Sequence, residues 1–179
     1  MAKCMKWAAV VFFFLAAAWI VLYCFCGEWA LPFAITFGTC FYHFAMRLLV
    51  GYTLNSILKN RANYQKAWYQ LHPFEARLYQ VLKVKKWKGR MPTFDPSCFD
   101  PKLHSWAEIA GAMCQAELVH EIIIVLSFMP LFAAIPFGSL PVFFITSLLS
   151  AAYDSSFVII QRFNRPRILR LIEKERTVK

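Results

Sequence analysis

The sequence predicts an all-α integral membrane protein: four transmembrane helices as two hairpins, joined by a basic, amphipathic cytoplasmic segment. Three observations lead there. Hydrophobic residues make up 59% of the 179 residues and charged residues 17%, against roughly 45–50% and about 25% in soluble proteins. The apolar residues are gathered into runs of membrane-crossing length. Lys and Arg almost entirely avoid those runs and collect in three other places. A soluble fold of this size cannot hide so much apolar surface, because small folds leave much of their surface exposed. The same composition excludes a disordered chain.

Residues 7–26, WAAVVFFFLAAAWIVLYCFC, carry no charge, and about 20 apolar residues cross a hydrocarbon core. This run is too long for a signal-peptide core and no A-x-A-like cleavage site follows it, so it reads as a retained span. The second run, 29–50, has only His43 and Arg47 as ionisable groups. A third covers about 119–137 and a fourth about 140–160, with Asp154 inside the last. The connections around Gly27-Glu28 and Gly138-Ser139 are very short, which pairs the runs as hairpins. The chain therefore reads as one membrane domain over 1–179, with a segment 51–118 between the hairpins and a basic tail 161–179.

Lys and Arg number two before the first run, ten in 51–115 and seven after Ile160, with Arg47 the one inside a run. By the positive-inside rule both termini and the central segment face the cytoplasm, giving a multi-pass cell-membrane protein. No nucleic-acid recognition motif accompanies the net charge of +10, so the charge reads as a basic rim and no nucleic-acid partner is expected. The six cysteines lack C-x-x-C or zinc-finger spacing and read as unpaired thiols.

Within the central segment, Pro73 opens FEARLYQVLKVKKWKGR, read as one helix lying on the membrane. Phe74, Leu78, Val81 and Leu82 share a face, while Arg77, Lys83, Lys85, Lys86 and Lys88 lie largely elsewhere. Such a helix binds anionic lipid headgroups through apolar burial and charge. The stretch MPTFDPSCFDPK reads as an ordered loop, and a further helix starts near Ser105 and continues into the third span.

The polar residues of the spans converge on the inner half of the membrane. His43 and Arg47 are four apart and share a face. Glu117, His120 and Glu121 share another, and Asp154 lies two turns before Gln161 and Arg162. Ionisable groups inside a membrane cost enough that they face partners or a cavity. The economical pairings are Arg47 with Asp154 or Glu117, and His120 with Glu117 or Glu121. A His base held by a carboxylate can take a proton from a substrate hydroxyl, so His120, Glu117 and Glu121 are the catalytic candidates. His43, Arg47 and Asp154 are candidates for holding substrate, since Arg at that depth can bind phosphate or steady an oxyanion. Glu117-x-x-His120 is a single pair, short of a di-metal bundle, and nucleophile elbows, phosphate loops and H-E-x-x-H are absent. No metal or organic cofactor is expected.

Gln161-Arg162-Phe163-Asn164-Arg165-Pro166-Arg167 resembles the Q-R-[FY]-N-R-P-R signature of glycosyl-4,4′-diaponeurosporenoate acyltransferases. Lys85-Lys86-Trp87-Lys88 and Ala116-Glu117-Leu118-Val119-His120 are similar to the family too, over roughly residues 70–175. The resemblance implies a transferase that adds a fatty acyl chain to the sugar of a glycosylated carotenoid. Its acceptor would be a membrane glycolipid and its donor acyl-CoA or an acyl carrier protein. Gln161, Arg162, Asn164, Arg165 and Arg167 would then bind substrate, with Pro166 ending the helix and aiming Arg165 and Arg167 at an anionic group. Two other readings remain open: a lipid-modifying enzyme with a quinone or sterol-like substrate, and a non-catalytic membrane subunit or lipid-binding protein.

Overall fold

A run of apolar residues with no Gly or Pro leaves the first helix unbroken. In the structure, a computed structural model that describes residues 2–178, α1 covers Ala2–Cys26 and stops at Gly27, whose φ of 99° favours glycine. A single 3₁₀ turn leads into α2, Leu31–Leu58, with Pro32 near its start where no N–H is needed. This helix runs past the apolar stretch until Lys59 and Asn60 turn left-handed, at φ 48° and 59°.

The expected surface helix is divided. It forms α3 (Pro73–Val81), a left-handed Lys83 at φ 50°, α4 (Val84–Trp87) and a 3₁₀ turn to Arg90. The physical reason lies in two valines. On one continuous helix Val81 and Val84 would share a face, but Val81 is exposed and Val84 fully buried. The break separates them. Trp87 closes the gap by donating its indole N–H to the Leu82 carbonyl at 3.0 Å.

α5 (Trp106–Leu126) starts where the sequence places it, with Ser105 as N-cap and a reciprocal bond from the Ser105 N–H to the Glu108 carboxylate at 2.9 Å. The third apolar run does not stay α-helical to 137. After Leu126 it becomes a 3₁₀ turn, Met129–Ala133, and a short α6, Ala134–Phe137; Pro130 and Pro136 each remove a helix donor. α7 runs from Leu140 to Val178 with Pro166 inside it. The expectation that Pro166 ends this helix is thus corrected. One lost N–H is outweighed where the flanking turns are held by packing, and Arg165 and Ile172 on either side are both buried. At 1.5 Å per residue α7 is about 58 Å long, nearly twice a hydrocarbon core.

α1 and α2 run antiparallel along an aromatic seam, with Phe12 on Phe44, Phe13 on Phe41 and Trp19 on Phe33 at 5.5, 5.4 and 4.3 Å between ring centres. α5 packs along α7, and α2 meets α5 through Met46, Val50 and Ile123. Large apolar side chains such as Phe14, Val125, Ile135 and Leu149 face outward. The described residues contain no strand, and four helical stretches are long and apolar enough to cross a membrane: Ala2–Cys26, Glu28–Leu58, Trp106–Phe137 and Leu140–Thr177.

The chain after α2 lies tight against α5 at Gly111. A methyl group there would stand 2.9 Å from the Asn60 carbonyl oxygen and 3.2 Å from that of Ala62, both backbone atoms that cannot swing aside. Gly111→Ala is therefore expected to destabilise by about 1–3 kcal/mol, read as a lower melting temperature in detergent. Melting unchanged from the parent would mean the two segments do not touch.

Candidate active site

Two polar layers follow one another along α7, and each draws in a different helix. The upper layer centres on Asp154, which is 1% exposed. Arg47 of α2 donates from Nη2 to Asp154 Oδ2 at 2.5 Å and to Ser150 Oγ at 2.7 Å. The other carboxylate oxygen meets His120 Nδ1 of α5 at 2.8 Å. Ser150 also touches Ser127 Oγ at 2.9 Å and His43 Nδ1 at 3.2 Å. The pairs 43/150 and 47/154 climb together, so α2 and α7 run parallel here, while 120/154 and 127/150 climb oppositely, so α5 is antiparallel.

The Arg47–Asp154 pairing is one the sequence offered. His120 is different: its partner is Asp154, not Glu117 or Glu121. Glu117 is fully buried and taken by two arginines, and Glu121 accepts from the Trp68 indole at 2.9 Å. Because α5 turns through the bundle, its three polar residues divide between two layers.

An ionised Asp154 can only accept, so it selects the Nδ1–H tautomer of His120 and leaves Nε2 with a free lone pair. Nothing among the described residues bonds Nε2, and the His120 side chain is 22% exposed. The ring lies flat on Phe157, 4.6 Å between centres and 9° between planes, so two partners fix its position. A base with one nitrogen anchored and the other open is the arrangement that takes a proton from a hydroxyl.

The lower layer is a knot of ion pairs. Arg162 grips Glu75 of α3 through Nε at 2.5 Å and Nη2 at 3.0 Å, and Glu117 through Nη1 at 2.6 Å. It also donates to the carbonyls of Trp68 and Gln70 at 3.1 and 3.0 Å. Arg165, 1% exposed, pairs with Glu117 and donates to the Tyr69 carbonyl at 2.5 Å. Burial alone would raise the Glu75 carboxyl, but bonds from Arg162, the His72 N–H and Tyr79 outweigh it and hold it below its ordinary range. The Tyr79 phenol is pushed up to about 12 by burial and then by its bond to Glu75. Both residues therefore keep their ordinary charge at neutral pH, and the knot stays intact.

This knot revises the part expected of the tail. Arg162 and Arg165 are spent inside the protein, so neither is free for an outside anion. Asn164 accepts from Lys88 Nζ at 2.5 Å, Gln161 is half-buried, and Arg167 is exposed. Sequence reasoning passed over Glu75, Ser127 and Ser150. Ser150 stands one turn from Asp154 and was findable from spacing; Glu75 resembled an ordinary capping residue after His72-Pro73. No group of three or more His, Cys, Asp or Glu among the described residues can hold a metal.

A family model described as glycosyl-4,4′-diaponeurosporenoate acyltransferase matches residues 65–174, well over half of the chain. The chain belongs to this family. The membership makes it a member of an acyltransferase family of carotenoid biosynthesis. No curated protein and no solved structure matches. The matched region contains Glu75, Lys88, Glu117, His120, Asp154 and the 161–167 string, whereas His43 and Arg47 reach the upper layer from outside it.

Removing one partner of a buried ion pair strands the other, at about 3–5 kcal/mol. Glu117→Leu is accordingly expected to lower folded yield and thermal stability sharply, and Arg165→Met added to it to recover part of the loss. Equal stability of the Glu117→Leu variant and the parent would contradict the buried pairing.

Proposed function

We propose that this protein transfers a fatty acyl group from a thioester to a sugar hydroxyl of a glycosylated isoprenoid held in the cytoplasmic leaflet. The observation that carries the reading is the His120–Asp154 pair, anchored at Nδ1 and open at Nε2, in a chain of an acyltransferase family. The substrate hydroxyl gives its proton to His120 Nε2 as its oxygen attacks the thioester carbonyl carbon. The C–O bond forms, the C–S bond breaks, and the leaving thiolate takes the proton back from His120. Asp154 stabilises the transient imidazolium, and Arg47 holds Asp154 in place.

The topology supports this reading. The Lys and Arg content of both termini, α3 and α4 favours a cytoplasmic side for them, and with that orientation the inner ends of the two hairpins surround the polar layers. A hydrophobic acceptor reaches His120 from within the bilayer, and a water-soluble donor reaches it from below. Glu117 acts as a structural anchor for Arg162 and Arg165, and Glu121 fixes Trp68.

The test is mass spectrometry of total lipids from cells that supply glycosylated carotenoid and express the parent, His120→Ala or Asp154→Asn. A species heavier by one fatty acyl unit is expected with the parent. It should fall by about 10²–10⁴-fold in rate with His120→Ala, the usual worth of general-base catalysis. Full product from His120→Ala would remove the proposed mechanism, and no new lipid from the parent would remove the acceptor.

A further inference from the structure

Below the upper layer, α7 carries Gln161 and Asn164, polar groups that the proton transfer does not use. Phe157, Gln161 and Asn164 are spaced i, i+4, i+7 and so form one stripe. Its upper end is the ring on which His120 lies. Its lower end is Asn164, about 10 Å further along the helix axis. There Asn164 Oδ1 accepts from Lys88 Nζ at 2.5 Å, and the ammonium rests over the Phe163 ring at 4.7 Å. The Asn164 amide NH₂ has no protein partner among the described residues.

Lys88 is thus held in place by an amide and a ring, with no carboxylate beside it. None of Lys85, Lys88 and Arg167 enters an ion pair among the described residues. Burial, then the charges of Arg167 and Lys85, hold the Lys88 ammonium below its ordinary pKa. The three cations therefore feel one another and lack a counter-charge. Beside them runs an open groove of about 560 Å³, floored by Tyr79, Val84 and Phe163 and rimmed by Lys83, Lys85 and Lys86. A lysine that merely snorkels to headgroups keeps a loose side chain; this one is oriented.

We propose that Lys88, Lys85 and Arg167, with the Asn164 amide, bind the phosphate of a phosphopantetheine thioester. The pantetheine arm then runs up α7 past Gln161 and presents the acyl group to His120. The inference rests on the acyl-transfer reading and names the donor's chemical class. Coenzyme A and a carrier protein both supply this phosphate. The charge fits: an anionic phosphate, singly charged where it is esterified in coenzyme A or a carrier protein, meets three unneutralised cations and a free amide donor. So does the length, since an extended pantetheine arm covers the stripe.

The test compares two donors with the same acyl chain, acyl-4′-phosphopantetheine and acyl-pantetheine. It uses the full chain in nanodiscs of uncharged phosphatidylcholine with the glycosylated carotenoid as acceptor. The parent should show a KM about tenfold lower for the phosphorylated donor, the worth of a charge-assisted contact. In Lys88→Met that ratio should fall toward one, and Lys88→Arg should keep most of it. Equal KM for both donors with the parent, or undiminished preference in Lys88→Met, would overturn the site. Binding of free 4′-phosphopantetheine, followed by calorimetry in the same nanodiscs, separates the two readings. Binding lost in Lys88→Met but kept in Lys88→Arg supports the phosphate site even if no donor turns over, an outcome that would count against acyl transfer alone. No binding to the parent overturns the site. Acyl-CoA and acyl carrier protein, compared under the same conditions, identify the source of the arm.

Discussion

A carboxylate with no exposure to solvent, Glu117, is closed on by Arg162 and Arg165 from α7. Most of the architecture at the inner ends of the helices depends on that contact. Burying a charge is costly unless a partner and further hydrogen bonds satisfy it, and here each arginine is completed by backbone carbonyls of residues 68–70. Glu75 joins the same cluster and fastens α3 to α7. One knot thereby ties together α3, α5, α7 and the chain that precedes α3. It also sets the register of α5 on α7. With Glu117 held at Arg162 and Arg165, His120 lies one turn further on, beside Asp154.

Asp154 repeats the arrangement one level up with different consequences. Its two oxygens are divided between Arg47, which neutralises it, and His120, which it orients. Glu117 has both oxygens taken by arginine and has nothing left for chemistry. Two buried carboxylates on facing helices thus differ in what they can do, and the difference comes from their partners. Arg47 lies outside the stretch matched by the family, so the N-terminal helix pair contributes to the site as well as to anchorage.

The presence of four apolar runs and the start of α5 at Ser105 were legible because hydropathy and capping are local properties. Convergence of His43, Arg47, His120 and Asp154 was legible too, since a membrane makes stray charges conspicuous. Partner choice was not. Glu117, His120 and Glu121 share one face of α5, and only the rotation of that helix against α7 decides that His120 faces Asp154 while Glu117 faces the arginines. Pro166 and Lys83 failed in opposite senses. A proline is tolerated where buried neighbours hold both flanks, and a helical pattern breaks where two valines must face opposite ways. Both outcomes are set by tertiary packing, which a periodicity does not contain.

The most direct measurement is a double-mutant cycle on the rate of acyl transfer, using the parent, His120→Ala, Asp154→Asn and the two combined, in nanodiscs with glycosylated carotenoid and acyl thioester. Residues acting as one unit give strongly non-additive losses. The double variant should therefore be no slower than His120→Ala alone. Losses that multiply, or an Asp154→Asn rate equal to that of the parent, would contradict a proton transfer shared between the two residues.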